Sequence, residues 1–194
     1  MFMGAHADAM RYFRALYQAA QAVSSSLEVK TVLDQLARTT VDALRIKACA
    51  IRLLDDNGET LTLYAAHGLS QRYLLKGRVL TGHSPLDQAV LRSRVVIVPN
   101  VVTDPLFQYP RQAREEGIVS VLCVPLRTQG QAFGVMRAYT AEPHDFPEIE
   151  QEFVQALADL GALALVNARR YERIAHDYHA TIDALWGTRS RSAV

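Results

Sequence analysis

The sequence predicts an α+β domain in which antiparallel strand pairs are framed by long helices at both ends of the chain. Three observations carry this. Residues 118–139, IVSVLCVPLRTQGQAFGVMRAY, read as two short apolar runs around a polar Gln129-Gly130 turn, rich in β-branched and aromatic residues. Residues 48–65 repeat the arrangement around Asp55-Asp56-Asn57-Gly58, and Asn-Gly between alternating runs is a strong hairpin signal. The segments before residue 46 and after residue 147 instead carry apolar residues three and four apart, the spacing of an amphipathic helix.

Taken in order, residues 7–25 place Phe13, Leu16, Ala20, Val23 and Leu27 on one helical stripe. Ser24-Ser25-Ser26 breaks it and can cap a second helix, about 28–45, with Val29, Val32, Leu33, Leu36, Ala37 and Leu44 on one side. In the first strand Cys49, Ile51 and Leu53 alternate with Ala50, Arg52 and Leu54, and Leu61, Leu63 and Ala65 return on the apolar face. Residues 67–82 are irregular. Ser84-Pro85-Leu86-Asp87 is a helix start, with Ser84 as N-cap, Pro85 in the first turn and Asp87 near the positive dipole end. That helix runs to about Arg92. Residues 94–98 make a strand ended by Pro99, and Thr103-Asp104-Pro105 starts a short helix that Pro110 keeps from being long. In the central hairpin Gly134 marks a close approach by a helix, a ligand or another backbone.

From Glu148 to about Trp186 the only Gly is Gly161, there is no Pro, and a heptad runs throughout. Phe153, Leu160, Asn167, Ile174 and Thr181 take one seam position; Leu157, Ala164, Tyr171, Tyr178 and Leu185 take the other. Such a helix is roughly 55–60 Å long. One domain face cannot cover that length, and an apolar seam with a single Asn is the pattern of a register-fixed coiled coil. A homodimer is therefore expected, with Phe13, Leu16, Ala164, Asn167, Tyr171, Ile174, Tyr178 and Leu185 at its interface.

Composition narrows the class. The chain has 194 residues, 49% of them hydrophobic, which suits one domain with a sizeable core. Its 21 basic and 20 acidic residues are mixed along the chain, giving net charge +1, so no nucleic-acid partner is expected. The start, MFMGAHADAM, lacks the charged and apolar blocks of a signal peptide. No apolar run reaches the roughly 18–20 residues that span a bilayer, so no membrane partner is expected either. Two cysteines, Cys49 and Cys123, fit reduced thiols in the cytoplasm.

With these pieces in place, residues from about 12 to 172 resemble a GAF domain. The central hairpin is similar to that family's signature of a small residue, an apolar run, "VPL", a short turn and "GV". "LEVKTVLDQLARTTVDAL", "ACAIRLLDDNGETLTLYAAHGL", "AVLRSRVVIVPNVVTDPLF" and "HDFPEIEQEFVQALADLGALALVNARRYE" resemble its other pieces in the usual order. Asn100 stands where the family often has Asp, and Asn can cap the loop similarly. The resemblance implies a GAF-like, PAS-related antiparallel sheet of about five to six strands. Helices from the chain termini lie on one face and an irregular helix-loop segment on the other. The implied division is an N-terminal tail over 1–10, the domain over 11–172, a signalling-helix extension over 173–187 and a disordered tail over 188–194. The implied role is a cytoplasmic sensory or regulatory module, not an enzyme. It binds an unidentified small molecule and signals through a helical dimer to an output domain or partner protein. The chain has no room for a kinase, cyclase or DNA-binding output, which leaves a stand-alone module or a fragment of a longer protein. An interaction or dimerisation domain without a ligand is an open alternative, as is a redox enzyme like the free methionine-sulfoxide reductases of this fold.

Subfamily chemistry finds little to attach to. The Asn-Lys-Phe-Asp-Glu set of cyclic-nucleotide-binding members is missing, and Cys123 falls within a strand rather than in the loop that holds a bilin. Cys49 also falls in a strand, where a buried cysteine is an inert small hydrophobe. His67, His83 and His144 are loop residues without a partner set, and His176 and His179 lie on the last helix. No catalytic residue and no metal ligand is named, and the cofactor is unknown. Ligand-binding candidates are Arg78, His83 and Ser84 at the helix start, Tyr109, Arg111 and Arg114 on a covering segment, and Gly134 and Met136. These last two share a small strand face with Ala132 and Ala138. That face leaves volume for a ligand, or else lets a helix pack closely.

Overall fold

Six antiparallel strands form one sheet in the order β3-β2-β1-β6-β5-β4. They are β1 (Ala48–Leu54), β2 (Thr60–His67), β3 (Val79–Leu80), β4 (Val96–Val98), β5 (Val121–Thr128) and β6 (Gln131–Tyr139). Helices are α1 (Phe2–Ser25), α2 (Val29–Leu44), α3 (Gln71–Leu74), α4 (Pro85–Leu91), α5 (Pro110–Glu116) and α6 (Glu148–Gly187). This computed structural model describes the backbone of residues 2–26, 28–92 and 94–187, and the side chains of 6–26, 28–92, 94–174 and 178. Leu27 and the tail over 188–194 lie outside the described residues. The expected α+β architecture, with terminal helices on one face and irregular segments on the other, is the one found.

Alternation along the central strands sorts side chains into two cores. On one face Cys49, Ile51, Leu53, Leu122, Val124, Leu126, Met136 and Ala138 pack under α1, α2 and α6. On the other, Ala48, Ala50, Val121, Cys123, Val135 and Tyr139 meet Tyr73 of α3, Leu86 and Val90 of α4 and Ala113 of α5. Because both faces are covered, β1, β5 and β6 are apolar almost throughout. Two of the exceptions, Arg52 and Arg137, point to the second face.

Several elements depart from the sequence reading for local reasons. α1 starts at Phe2, so residues 2–10 are helical where a tail was expected. Its buried stripe is Tyr12, Ala15, Ala19 and Val23, shared with the expected one only at Val23; Leu16 is half-buried against this chain's own core, and Phe13 is left 65% exposed. Arg11 anchors this rotation by donating from Nε to the Ala43 carbonyl of α2 at 2.6 Å. In β2 the register shifts opposite Ile51/Arg52, so Tyr64 bulges and Ala65 joins the helical face while Leu61 and Leu63 stay on the other. Residues 103–106 form turns and no helix; Pro110 instead begins α5, at the first-turn position where proline suits. Asn100 does hold its loop, accepting from the Val102 N–H at 2.9 Å.

α6 has 40 residues, roughly 60 Å at 1.5 Å per residue. Phe153, Leu157, Ala164 and Leu165 are buried under α1 and the sheet, so Ala164 serves this chain's own core and not a dimer seam. Beyond Ala168 the helix has left the sheet, and Tyr171, Ile174 and Tyr178 are 58–66% exposed. The side chains of Leu185, His176 and His179 lie outside the described residues.

Gly134 is set by a backbone, not by a helix or ligand. A Cβ there would stand 2.7 Å from the Arg52 carbonyl oxygen and 2.8 Å from Leu53 Cδ2 on β1. Gly134→Ala is therefore expected to lower stability by about 1–3 kcal/mol, through strain against the paired strand. Urea denaturation reads this directly; an unchanged midpoint would mean that β1 moves aside freely.

Candidate functional site

The second face of the sheet carries charge in its interior. Arg52 on β1 pairs with Val135, and Arg137 on β6 pairs with Ala50, which makes the two arginines diagonal neighbours on one face. Both are 5% exposed. Asp87, in the first turn of α4, is fully buried and is the only buried carboxylate among the described residues. Its Oδ1 accepts from Arg137 Nη2, and its Oδ2 accepts from Ser84 Oγ at 2.7 Å. Ser84 Oγ in turn accepts from the Asp87 N–H at 3.3 Å. This arrangement holds α4 to β6 through a desolvated ion pair.

Charge balance around the pair is incomplete. Arg52 donates from Nη1 to the Leu61 carbonyl at 3.1 Å, but its Nε, the Arg137 Nε and the Tyr73 hydroxyl are buried without a hydrogen bond. Lys76 Nζ sits 3.8 Å over the Tyr73 ring and 5.8 Å over that of Tyr109. Burial, with Arg52 and Arg137 adding to it, pulls the Lys76 ammonium down to about 7. Burial also pulls Arg52 below its ordinary range. It opposes the charge of Arg137 too, but Asp87 more than offsets it and holds that guanidinium well above its usual value. Tyr73 and Tyr139 are pushed up chiefly by burial.

A cavity of about 350 Å³ opens beside this cluster. Arg52, Thr60, Leu61 and Leu63 of the sheet form one side, and Leu74, Leu75, Gly77 and Arg78 form the other. The covering segment is pinned to α5. Ser70 Oγ and N–H both donate to Glu116, the latter at 2.8 Å, and Arg72 pairs with Glu115 at 2.7 Å. Tyr109 donates its hydroxyl to the Arg78 carbonyl at 2.6 Å. Gly77, at φ +128°, lets that hydroxyl come as close as 3.0 Å to where a Cβ would be.

The residues expected from sequence are only partly gathered here. Arg78 lines the cavity and Tyr109 covers its far side. Ser84 is not open to an outside anion, because Asp87 already occupies the start of α4. His83 is exposed on a 3₁₀ turn, and Arg111 and Arg114 point to solvent on α5, with Arg111 paired to Glu115 at 3.1 Å. Gly134 and Met136 lie on the opposite face, Met136 fully buried under the terminal helices, so the small strand face serves helix packing. Arg52, Tyr73, Lys76, Asp87 and Arg137 were missed. The available signal was a lone arginine in the middle of each of two apolar strands, AIRLL and VMRAY.

Other candidate chemistry is weaker. Cys49 and Cys123 are wholly buried, and burial pushes both thiols up to about 12. Among the described residues no group of three His, Cys, Asp or Glu is placed to hold a metal. His144 bonds Glu150 at 2.6 Å. No helix among the described residues is long and apolar enough to cross a membrane.

Comparison with known proteins gives the class. A family model described as the GAF domain matches residues 26–166, and the chain belongs to that family. It is 24% identical over 163 residues to the Nif-specific regulatory protein of Herbaspirillum seropedicae, covering 82% of this chain and 30% of that protein. The chain thus spans less than a third of that relative's length. Among solved structures, it resembles the GAF domain of a phosphoenolpyruvate-protein phosphotransferase from Coxiella burnetii, with a TM-score of 0.75 and 24% identity over 85% of this chain and 98% of that one. It also resembles a free methionine-R-sulfoxide reductase from Neisseria meningitidis, with a TM-score of 0.70 and 21% identity over 84% and 93%. At these identities the structural likenesses establish the fold alone.

Two measurements probe the cluster. Asp87→Ala is expected to cost about 3–5 kcal/mol by stranding Arg137 in the interior, with Asp87→Asn losing less because a polar partner for Ser84 remains. A loss under about 1 kcal/mol in chemical denaturation would mean that water reaches the pair. For Lys76 the folded-state value of about 7 lies below its ordinary 10.5, so between these values the unfolded chain binds the extra proton. Stability should rise from pH 7 to 9, by at most about 1 kcal/mol per pH unit. Lys76→Met should remove that rise. The groups around Lys76 are Arg52, Arg137, Asp87, Glu116, Tyr73 and Tyr109. A rise that persists in Lys76→Met would assign it elsewhere.

Proposed function

We propose that this chain is the sensory domain of a cytoplasmic regulatory protein. It binds a small molecule between β2 and residues 74–78, and it reports occupancy through a homodimer formed by α1 and α6. The observation that carries the reading is the cavity of about 350 Å³ with buried Arg52 in its wall, in the size range of small-molecule sites. A filled interaction domain has no use for an incompletely paired arginine beside open volume. Membership of a family that occurs in regulators, and likeness to a Nif-specific regulatory protein, support a regulatory role with an output domain or partner elsewhere.

The dimer rests on length and exposure. An eight- or nine-residue strand spans about 30 Å, half the length of α6. The outer half presents Tyr171 and Ile174, and α1 presents Met10, Phe13 and Tyr17. A second copy supplies the matching apolar stripe. A catalytic thiol is disfavoured by the depth of Cys49 and Cys123 and by their raised values.

Native mass spectrometry of freshly purified protein tests both parts. The expected species is a dimer carrying a sub-kilodalton adduct, with the adduct lost in Leu63→Trp and the dimer lost in Ile174→Glu. A dimer without adduct favours a ligand-free interaction domain. A monomer at micromolar concentration overturns signalling through α6.

A further inference from the structure

Resting on the cavity reading above, the geometry points to a ligand that is a small anion carrying a carboxylate or phosphate group, bound through the guanidinium of Arg52 with Lys76 beside it. Charge and hydrogen-bond bookkeeping on this face argue for it. Two arginines are buried and one carboxylate is, and Asp87 is committed to Arg137 and Ser84. Arg52 is left with a single hydrogen bond, to the Leu61 carbonyl, and its Nε bonds nothing. A buried charged donor without an acceptor is unfavourable, and the group that relieves it must bring lone pairs and negative charge.

Arg52 is also the charged group that the sheet itself contributes to the cavity. Its planar fork suits two oxygens of one carboxylate or phosphate. Lys76, which follows cavity-lining Leu75 and precedes Gly77 in the chain, is stacked on Tyr73 and lies near enough to Arg52 for their charges to repel, a repulsion that an anion relieves. The remaining wall is Thr60, Leu61, Thr62, Leu63, Leu74 and Arg78, with aliphatic carbon between the polar groups and Arg78 Nη2 donating to Thr60 Oγ1 at 3.2 Å. That lining fits a short-chain acid or a small phosphate ester better than an extended aromatic ligand. A cation is excluded by the positive charges of Arg52, Arg78 and Lys76.

Thermal shift and calorimetry at fixed ionic strength test this, with succinate, inorganic phosphate and the neutral diamide succinamide as probes. The expected result is that 10 mM succinate or phosphate raises the melting temperature by several degrees while succinamide does not. Which of the two anions is stronger tells a carboxylate site from a phosphate site. Arg52→Gln should weaken the anion about 10- to 100-fold, as loss of a charge-assisted contact implies, and Arg38→Gln on the exposed face of α2 should leave it unchanged. Where Arg52→Gln fails to fold, Lys76→Gln at its half-buried position should still weaken binding several-fold. Succinamide binding as tightly as succinate, with Leu63→Trp abolishing both, keeps the cavity and overturns the anion. Unchanged anion affinity in both Arg52→Gln and Lys76→Gln also overturns it. No response of the wild type to any probe at 10 mM overturns the anion site and counts against the cavity as well.

Discussion

The buried pair of Arg137 with Asp87 is the interaction on which the second face of the sheet depends. A lone guanidinium in the middle of β6 would be very costly among Val135, Tyr139 and Cys123. Asp87 neutralises it, and Ser84 satisfies the second carboxylate oxygen while capping α4. The pair therefore fixes where α4 lies, and with it the path of the chain between β3 and β4. A buried ion pair is weak evidence for added stability; its effect here is to specify one position for a short helix.

The two faces of the sheet solve different problems. Under α1, α2 and α6 the packing is continuous and apolar, and small residues let the helices approach closely. A Cβ at Gly161 of α6 would stand 3.1 Å from Leu36 and 3.2 Å from Leu33 of α2. Against the sheet this face is filled, and its open volume lies further out, in a groove of about 640 Å³ between α1 and α2 lined by Met10, Arg11, Arg14 and Asp42. The opposite face is covered by three short helices and irregular chain, held by side-chain bonds such as Ser70 with Glu116 and Tyr109 with the Arg78 carbonyl. Short elements joined by surface hydrogen bonds open at lower cost than packed helices. The face that carries the proposed site is thus the one whose cover is held mainly by polar contacts.

Between the faces, β1 and β6 connect the proposed site with the terminal helices. Alternate residues of the same strands touch both: Arg52 lies in the cavity wall while Ile51 and Leu53 pack under the terminal helices. Neutralising Arg52 would change the forces on β1 directly beneath the helices whose far ends are exposed. On the proposed reading, no separate relay is needed between that site and α1 and α6.

Much of this was legible in the residues. Asn57-Gly58 and Gln129-Gly130 marked the two hairpins, Ser84-Pro85 marked the start of α4, and unbroken helical spacing marked α6. Each signal is local, because turn chemistry, capping and periodicity act over a few residues. What sequence spacing could not supply was orientation. Periodicity alone did not tell Phe13 from Tyr12 as the buried edge of α1; the Arg11 bond to Ala43 on α2 did. Nor did it show that Met136 faces the helices or that a bulge at Tyr64 turns β2 over, since both depend on cross-strand register. The site suffered most. Arg52, Lys76, Asp87 and Arg137 are far apart in the chain and lie on four different segments, and each looks like an ordinary charged residue until the sheet forms. The sequence by itself determined the family, the two central hairpins and the long terminal helices. Only tertiary structure decided that two arginines share one buried face with a single carboxylate, because burial and charge balance are properties of neighbours in space.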